Sequence, residues 1–520
     1  MGGRTSPADG QPLFDEDRGL AYQCVGGEVG APQPCPRTMA PRLLFDLSTL
    51  ARWAGPPVGI IRAERELARF ARDHLEHAVF VLFDPLTDSY RQANPRYVPS
   101  LIAGTVSMEP WSAPSATARK RRSDRIPPAL RPAAQWVLQF RRSALLALER
   151  ERLRAGADSA SRIAERLQQM LLTDKYRGYL FNPDGSRRNV LRREELAGPP
   201  VAFAADDVLV CAGAPWAHAN VRTVAALKAR HRFRLALLCY DFIPVLFPHY
   251  YKEDDARLFR DYYEAAFPIA DLVVFNARVV EQDTIAACRR LGIPIGQSCV
   301  VPLGANLPPP VQRGAPLPDG LAPGRYALFV STIEPRKGHR MLTDAWLRLL
   351  ADGIPQRHGF KLVFAGRPGW LMDDLIERLR SDAPLRETLH LLHDVPDETL
   401  HALYDGAAFC LYPSAYEGFG LPIVEAFLRG KAVLASTGGA IPEVAAGLAP
   451  CLDPDDAGAW QTMLARWISD PAVATAHATE IRRRFRHVSW SEAAQRFFAA
   501  VENAPRRAER RDVAEMAPVP

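Results

Sequence analysis

The stretch LYPSAYEGFGLPIVEAFLRGKAVLASTGGAIPEV runs from Leu411 to Val444 and combines a strand pattern, a glycine turn and a helix pattern. Two glutamates, Glu417 and Glu425, lie on either side of the turn. An apolar run typical of a buried strand precedes Glu417, and apolar residues at helical spacing surround Glu425. The pattern therefore places two carboxylates at the mouth of a helix, where one ligand can reach both.

The turn between the two glutamates has the chemistry of an anion site. Gly418 and Gly420 carry no side chains, so backbone N–H groups can approach an anion closely. Pro422 suits the first helical position, and the helix N-terminus offers unpaired N–H groups to a diphosphate. Because two carboxylates would repel a diphosphate, we expect Glu417 and Glu425 to bind hydroxyls, one set on a ribose and one on a sugar. For either glutamate alone, the alternative is a helix cap.

Length and composition indicate a multidomain globular protein. The chain has 520 residues, 48% of them hydrophobic, and a net charge of +6, which suffices for two domains and does not indicate nucleic-acid binding. The sequence lacks the ~18-residue apolar run of a membrane span, and residues 1–38 lack the apolar run of a signal peptide, so we expect a cytoplasmic protein. The eight cysteines are scattered without a C-x-x-C pair, which favours buried free thiols.

The first half of the chain alternates strand and helix patterns. Short apolar runs ended by turns include RLLFDLS, HAVFVLF, DVLVCAG, RLALLCYDFIP and DLVVFNA. Strands that alternate with helices predict a parallel sheet covered on both faces. We expect one such domain over residues 39–305, after a disordered segment rich in Gly, Pro and charge at 1–38.

The same alternation begins again after a proline-rich stretch, residues 306–324, which we interpret as a linker. A second doubly wound domain is predicted over 325–485, with YALFVST, KLVFAG, LHLLHDV, FCLYPSA and AVLAST as strands. A helix over 486–503 is expected to cross back to the first domain, and 504–520 to be a disordered tail. Two such domains create a cleft at the carboxyl ends of their strands, where open α/β sheets bind ligands.

One segment does not follow the alternating pattern. Residues 119–154 contain eleven Lys or Arg and three Asp or Glu, an excess of eight positive charges. Trp136, Phe140, Ala144 and Leu148 recur there at helical spacing. We expect a basic helical insertion at about residues 105–200, which either lies on an anionic membrane or packs as a solvated helix on the first domain.

The glutamate stretch EGFGLPIVEAF resembles the Glu-x7-Glu motif of the retaining glycosyltransferases of family 4, which have the GT-B fold of two Rossmann-like domains facing each other across a cleft. FVSTIEPRKGHRMLTDAW, LVFAGRPGW, LHLLHDVPDETLHALYDGAAFCLYPS and STGGAIPEVAAG are similar to other parts of their C-terminal domain. GAPWAHAN, LCYDFIPVLFPHYY and ADLVVFNARVVEQD resemble a branch that acts as mannosyltransferases in bacterial polysaccharide assembly. The resemblance covers about residues 43–75 and 205–500.

The resemblance implies a role for each matching residue. Glu417 would contact the hydroxyls of the donor sugar, and Glu425 would hold the donor ribose. Arg336 and Lys337 match the basic pair that neutralises the diphosphate, where fixed cations stabilise the charge left by the breaking sugar–phosphate bond. Asp241 is the acidic candidate near the acceptor. The remaining donor-binding residues are expected to be Gly418, Phe419, Gly420, Leu421, Gly59 and Thr332.

The sequence departs from the family's pattern at two of these positions. Thr332 stands where many relatives have an arginine, so phosphate binding must rely on Arg336, Lys337 and backbone groups. Tyr240 precedes Asp241 where many relatives have a histidine, which puts a histidine-based step in doubt. The Asp-x-Asp strings at 15–17 and 453–455 lie away from the glutamate motif, so we expect no metal site and no cofactor.

The resemblance implies a retaining, metal-independent transferase that moves a hexose, mannose from GDP-mannose, to a growing surface polysaccharide such as lipopolysaccharide or to a lipid-linked oligosaccharide. It would act in the cytoplasm, at the cytoplasmic face of the inner membrane. A UDP-sugar donor and a non-catalytic nucleotide-sugar-binding subunit remain open alternatives. A Rossmann dehydrogenase is not supported, because GPPVGII lacks the G-x-G-x-x-G pattern.

Overall fold

The structure is a computed structural model. It describes residues 41–53, 59–108, 189–306, 316–393 and 395–506, together with six single positions, 144, 147, 148, 163, 166 and 167. All of these residues belong to one compact unit, Pro41–Pro520. The predicted disordered segment 1–38 and nearly all of the basic stretch 119–154 lie outside the described residues. Two mainly parallel sheets with helices packed on them form two Rossmann-like domains in this unit, which confirms the predicted fold class.

The first sheet has eight strands in the order β10-β9-β8-β7-β1-β2-β3-β6, and β4 and β5 form a separate parallel pair. The strands are β1 (Leu43–Asp46), β2 (Ala78–Asp84), β3 (Ser89–Ala93), β4 (Val106–Met108), β5 (Asn189–Leu191), β6 (Ala197–Pro200), β7 (Val208–Cys211), β8 (Arg234–Cys239), β9 (Leu272–Phe275) and β10 (Gln297–Val300). The helices are α1 (Ser48–Arg52), α2 (Gly59–His74), α3 (Val98–Ala103), α4 (Arg193–Leu196), α5 (Val221–His231), α6 (Ile243–Leu246), α7 (Glu253–Ala266) and α8 (Arg278–Leu291).

The second sheet has six strands, all parallel, in the order β13-β12-β11-β14-β15-β16. The strands are β11 (Tyr326–Val330), β12 (Lys361–Ala365), β13 (Leu389–Leu392), β14 (Phe409–Tyr412), β15 (Val433–Ser436) and β16 (Cys451–Leu452). The helices are α9 (His339–Ala351), α10 (Ile354–His358), α11 (Asp373–Ser381), α12 (Ala383–Thr388), α13 (Asp397–Gly406), α14 (Leu421–Leu428), α15 (Ile441–Ala445), α16 (Ala457–Ser469), α17 (Pro471–Arg484) and α18 (Trp490–Asn503).

Strand order reverses once in each sheet. In the first sheet β1 has β2 on one side and β7 on the other, and in the second sheet β11 has β12 on one side and β14 on the other. At such a point the loops leaving two neighbouring strands diverge to opposite faces and leave a crevice at the carboxyl edge. The loops after β11 and β14 contain Arg336, Lys337 and Glu417, so the second reversal positions most of the predicted site.

The first sheet is not wholly parallel, in contrast to the prediction. Strand β3 is antiparallel to β2, and β6 is antiparallel to β3. The short loop between β2 and β3 turns on Asp84, which accepts hydrogen bonds from the Leu86 N–H and the Thr87 hydroxyl. Strand β6 lies within the predicted insertion 105–200 yet completes the sheet, and its Pro199 and Pro200 are tolerated because the strand is at the edge.

The C-terminal helix α18 packs on the first domain. A capping box begins the helix, since Ser489 Oγ accepts from the Glu492 N–H and Glu492 accepts from the Ser489 N–H. The Phe498 ring stacks on Phe70 of α2 at 5.8 Å. The Ala504 carbonyl accepts from Arg234 at 2.7 Å, and residues 507–520 lie outside the described residues.

The two domains contact each other directly on one side of the cleft. The Tyr416 hydroxyl donates to Asp283 Oδ2 at 2.7 Å, and the Glu443 carboxylate accepts from the backbone N–H groups of Arg278 and Val279 at 3.0 and 3.2 Å. Glu443 thus caps α8 of the first domain from the second domain. Among the helices built from described residues, none combines the length and the apolar character needed to cross a bilayer.

Candidate active site

A cleft of about 950 Å³ separates the two domains. Its walls come from the loops that follow strands of both sheets and from residues of α2, α7, α13 and α14. All eleven residues that the sequence predicts for the site lie on these walls: Gly59, Asp241, Thr332, Arg336, Lys337, Glu417, Gly418, Phe419, Gly420, Leu421 and Glu425. Their individual roles stay predictions, but the fold brings them to one place.

A single turn of 3-10 helix, Pro335–Lys337, presents the basic pair to the cleft after β11. Gly338 ends the turn with a φ of 81°, and a Cβ at this position would lie 2.4 Å from the Pro413 carbonyl oxygen. A glycine is therefore required both by the left-handed backbone and by the close approach of the loop after β14. This close approach places Arg336 and Lys337 against the Glu417 loop.

Glu417 is buried and paired with both cations. Lys337 Nζ lies 2.5 Å from Glu417 Oε1, and Arg336 Nη1 lies 2.9 Å from Oε2. Burial alone would raise the pKa of the Glu417 carboxyl, but the charges of Arg336 and Lys337 outweigh it and lower the pKa to about 2. The carboxylate is therefore ionised at every physiological pH and is held in a fixed position by two charge-assisted contacts.

The two cations differ in their own environments. Arg336 forms a second ion pair with Glu334 at 2.8 Å and donates to the Tyr416 carbonyl at 2.9 Å. Burial opposes its charge, but Glu417 and Glu334 raise its pKa well above the ordinary arginine range. Burial lowers the pKa of Lys337, and the neighbouring charge of Arg336 lowers it further. Lys337 is thus a desolvated ammonium, for which a second anion nearby would be strongly favourable.

Glu425 lies in the second turn of α14 and faces the first domain. Arg62 of α2 forms an ion pair with Glu425 Oε1, and the Tyr404 hydroxyl donates to Oε2 at 3.0 Å. Glu425 is therefore about one helical turn past the N-terminus of α14, and its carboxylate is shared between the two domains. Glu417 precedes the glycine turn and Glu425 follows it, so the two carboxylates can bind different parts of one ligand.

The glycine turn also has a packing role that the sequence does not reveal. A Cβ on Gly418 would lie 2.2 Å from the Tyr240 carbonyl oxygen, so the first domain fills the space that a side chain would need. Gly420 has a φ of 103° and is the residue before α14. Gly59 lies on the opposite wall, where its Cβ position is 3.7 Å from Leu421 Cδ1. In this arrangement, Gly418 permits domain contact and Gly420 permits the turn.

Asp241 follows β8 and reaches the cleft from the first domain. Burial raises the pKa of its carboxyl, while the charge of Arg336 across the cleft acts in the opposite direction. The Asp241 Oδ1 atom accepts from the Ile243 N–H at 3.1 Å, which fixes the side chain at the start of α6. The first domain thus directs one carboxylate toward the cations of the second domain.

Several aromatic residues on the walls are absent from the predicted set. Trp216, Tyr251 and Trp370 line the cleft, although their sequence context equally fits a hydrophobic core. The Trp370 indole N–H donates to the Tyr250 carbonyl at 2.8 Å, which joins the domains. Only the proximity of each residue to the carboxyl end of a strand could have marked it as a cleft residue.

With this geometry in view, comparisons with known proteins identify the second half of the chain. Residues 322–487 match the family model for glycosyl transferases group 1. The chain contains a group 1 glycosyl transferase domain. This domain includes the whole second sheet, the basic pair and both glutamates, so the family resemblance inferred from the sequence is confirmed for the region that carries the motif.

Relatives of the glycosyl transferase domain include bacterial mannosyltransferases. O-antigen chain mannosyltransferase B of Escherichia coli is 35% identical over 168 residues, which are 32% of this chain and 42% of that protein. MMP alpha-(1->4)-mannosyltransferase of Mycolicibacterium hassiacum is 31% identical over 39% of this chain and 48% of that protein. The chain thus spans less than half the length of these two relatives.

A solved structure matches both domains. HepE from Anabaena, solved in complex with UDP and glucose, aligns with a TM-score of 0.50 over 89% of this chain and 99% of that chain, at 15% sequence identity. The likeness extends beyond the glycosyl transferase domain to the first sheet, and confirms the GT-B arrangement as the fold of the chain.

Proposed function

We propose that the protein is a retaining glycosyltransferase that transfers a hexose from a nucleotide sugar to a saccharide acceptor. The observation that carries this proposal is the cluster of Glu417, Lys337 and Arg336 with Glu425 at the base of one cleft. Two buried cations and two separate carboxylates match a ligand with a diphosphate between two hydroxyl-bearing rings. A nucleotide sugar has this distribution of charge and hydroxyls.

The chemistry follows from this distribution. The bond between the sugar's anomeric carbon and the diphosphate oxygen breaks, and the electron pair stays on the phosphate. Arg336 and Lys337 stabilise that charge, while Glu417 orients the sugar hydroxyls. The acceptor hydroxyl attacks the same face of the anomeric carbon, and its proton passes to the departing phosphate oxygen. This route needs no strong protein base and no metal ion, and it retains the anomeric configuration.

We further propose that the sugar is mannose, donated by GDP-mannose. The support is that the relatives of the glycosyl transferase domain include an O-antigen chain mannosyltransferase and a lipopolysaccharide core mannosyltransferase. We accordingly propose a surface polysaccharide or a lipid-linked oligosaccharide as the acceptor, at the cytoplasmic face of the inner membrane. The charge excess of residues 119–154 supports contact with anionic lipid there.

Calorimetric titration of the full chain with GDP, UDP and ADP, followed by turnover with the matching nucleotide mannose and glucose, tests the proposal. We expect GDP to bind best and GDP-mannose to be consumed only when a saccharide acceptor is added. Selective binding of UDP would replace the donor while leaving the transfer chemistry in place. Tight binding of a nucleoside diphosphate without turnover of any nucleotide sugar would favour a non-catalytic binding subunit.

A further inference from the structure

The GRPGW loop, residues Gly366–Trp370, follows β12 and packs against the loop that follows β11. The Ile333 N–H donates to the Arg367 carbonyl at 3.0 Å, and the Gly369 N–H donates to the Ile333 carbonyl at 2.9 Å. These two backbone hydrogen bonds join the loops side by side. The loops therefore form one continuous part of the cleft wall, and Arg367 lies within it.

The GRPGW loop is fixed at both of its ends. A Cβ on Gly366 would overlap the Ser331 carbonyl oxygen, so only a glycine allows the two loops to approach this closely. At the other end, the Trp370 indole N–H donates to the Tyr250 carbonyl of the first domain at 2.8 Å. These contacts fix the backbone on either side of Arg367, which is half-buried and lines the cleft.

Arg367 differs from the other cations of the cleft because it has no carboxylate partner among the described residues. The part of the cleft wall that the structure describes holds five Arg or Lys residues: Arg62, Arg336, Lys337, Arg367 and Arg429. Four of them pair with carboxylates of the protein: Arg62 with Glu425, Arg336 with Glu334 and Glu417, Lys337 with Glu417, and Arg429 with Asp405. The Arg367 guanidinium forms no ion pair or hydrogen bond with any described residue, so its charge is available to a ligand.

A diphosphate in this cleft needs such an available charge. Arg336 and Lys337 are already matched by two carboxylates of the protein. Asp241, across the cleft, adds a further carboxylate whose charge acts on Arg336. Together these side chains carry no net positive charge, whereas a diphosphate carries more than one negative charge. An additional cation beside them would therefore favour binding of the diphosphate.

The short side chain of Thr332 lies beside the same loop. Its Cγ2 atom is 3.1 Å from the Cβ position of Gly369, and it lines the cleft. Thr332 stands where many relatives have an arginine, so the loop after β11 offers no guanidinium at this position. Arg367 supplies one from the adjoining loop, and a guanidinium can donate to two phosphate oxygens at once.

We propose that Arg367 binds the diphosphate of the donor, as a third cation beside Arg336 and Lys337 and in place of the arginine that position 332 lacks. The charge then comes from the loop after β12 instead of the loop after β11. The inference rests on the proposed function, and it adds a donor-binding residue that the motifs of the sequence do not identify.

Calorimetry on the full chain tests this contact without relying on turnover. The probes are GDP and UDP, each compared with its own nucleoside, guanosine or uridine. We expect Arg367→Ala to weaken binding of the diphosphate at least about tenfold, the size of effect expected for one hydrogen-bonded charge contact, and to change nucleoside binding less than about twofold. Unchanged affinity for the diphosphate, or an equal loss for the nucleoside, would overturn the proposal.

Two further variants separate the contact from general charge effects. Arg367→Lys should recover part of the lost affinity, because it restores the charge without the second donor. Arg348→Ala removes the same charge at an exposed position of α9 off the described cleft wall, and should leave binding unchanged. An equal response of Arg348→Ala and Arg367→Ala would contradict the assignment.

The same variants distinguish this inference from the proposed function. Diphosphate binding that depends on Arg367, without transfer of any sugar, would keep the contact and reject the proposed function. Sugar transfer by the wild type, combined with undiminished diphosphate affinity in Arg367→Ala, would keep the proposed function and reject the contact.

Discussion

Arg62 and Glu425 form an ion pair that joins α2 of the first domain to α14, the helix after the glycine turn, in the second domain. The same carboxylate accepts a hydrogen bond from Tyr404 at 3.0 Å. Because the proposed function gives Glu425 to the donor ribose, the ribose hydroxyls must share this carboxylate with Arg62 or displace it. The ion pair therefore joins the two domains at the carboxylate that the donor is proposed to bind.

This relationship predicts opposite effects of two substitutions on nucleoside diphosphate affinity. Glu425→Gln should weaken binding by ~1.5–3 kcal/mol, the cost of a lost hydrogen bond to a charged group. Arg62→Ala should strengthen binding, because it removes a competitor for the carboxylate. Calorimetry measures both, with Arg69→Ala on the same helix as a control off the described cleft wall. Weaker binding by Arg62→Ala would show that Arg62 contacts the ligand.

Lys337→Ala should lower turnover by about 10²-fold or more, by analogy with the removal of one preorganised electrostatic stabiliser. The reason is that its desolvated ammonium faces the proposed leaving group. Steady-state kinetics on the folded variant provide the measurement. Arg340→Ala is the matched control, since Arg340 lies on the exposed face of α9 and pairs with Asp374 of α11. Near-normal turnover by Lys337→Ala would remove Lys337 from the mechanism.

Glu417→Gln should abolish transfer and at the same time tighten nucleoside diphosphate binding. The substitution leaves Lys337 and Arg336 without their anionic partner, and the diphosphate then neutralises them. Unliganded stability should fall by roughly 3–5 kcal/mol, the usual cost of breaking a buried ion pair. Chemical denaturation with and without ligand measures both effects. A ligand that stabilises the variant no more than the wild type would contradict this account.

The low pKa of Glu417 gives this stability difference a pH dependence. In the folded chain its pKa is about 2, below the ordinary glutamate value of 4.5. A depressed carboxyl pKa stabilises the fold above the unfolded-state value, and this contribution is lost as the pH falls through the folded-state value. The difference between wild type and Glu417→Gln should therefore shrink from about pH 4.5 toward pH 2. A constant difference over that range would contradict the assignment.

Asp241→Asn should slow transfer without abolishing it, because the proposed role of Asp241 is to orient the acceptor. Burial raises the pKa of its carboxyl, so the acid limb of the kcat/KM profile should lie above the range of an ordinary aspartate and should be absent in the variant.

Proton NMR of the product should show an α-linkage from an α-linked donor. A β-linked product, or complete loss of activity in folded Asp241→Asn, would favour inversion with Asp241 as the base.

The basic stretch predicts salt-sensitive binding to anionic vesicles. Each basic residue near such a surface contributes ~1 kcal/mol, which added salt screens. Flotation with phosphatidylserine vesicles should therefore retain the protein at low salt and release it at high salt. Reversal of Arg119, Lys120, Arg121 and Arg122 to glutamate should release it under both conditions. A protein that does not float at low salt would favour the solvated-helix alternative.

The sequence by itself predicts the features that depend on near neighbours along the chain. Apolar periodicity and turn residues indicate the alternating strands and helices, and the strand–glycine–proline pattern around Glu417 and Glu425 indicates a ligand-binding turn. Arg336 and Lys337 are identified through the family resemblance. These signals work because a turn, a cap or a helical face is determined within a few residues.

Only the tertiary structure decides the features that join distant segments. The Arg62–Glu425 pair, the contact of Gly418 with the Tyr240 carbonyl and the antiparallel strand β6 connect positions far apart in the chain. Trp216 and Trp370 have no local pattern that separates a cleft residue from a core residue. Their roles follow from which strand ends face each other across the cleft, and the packing of two whole sheets determines that arrangement.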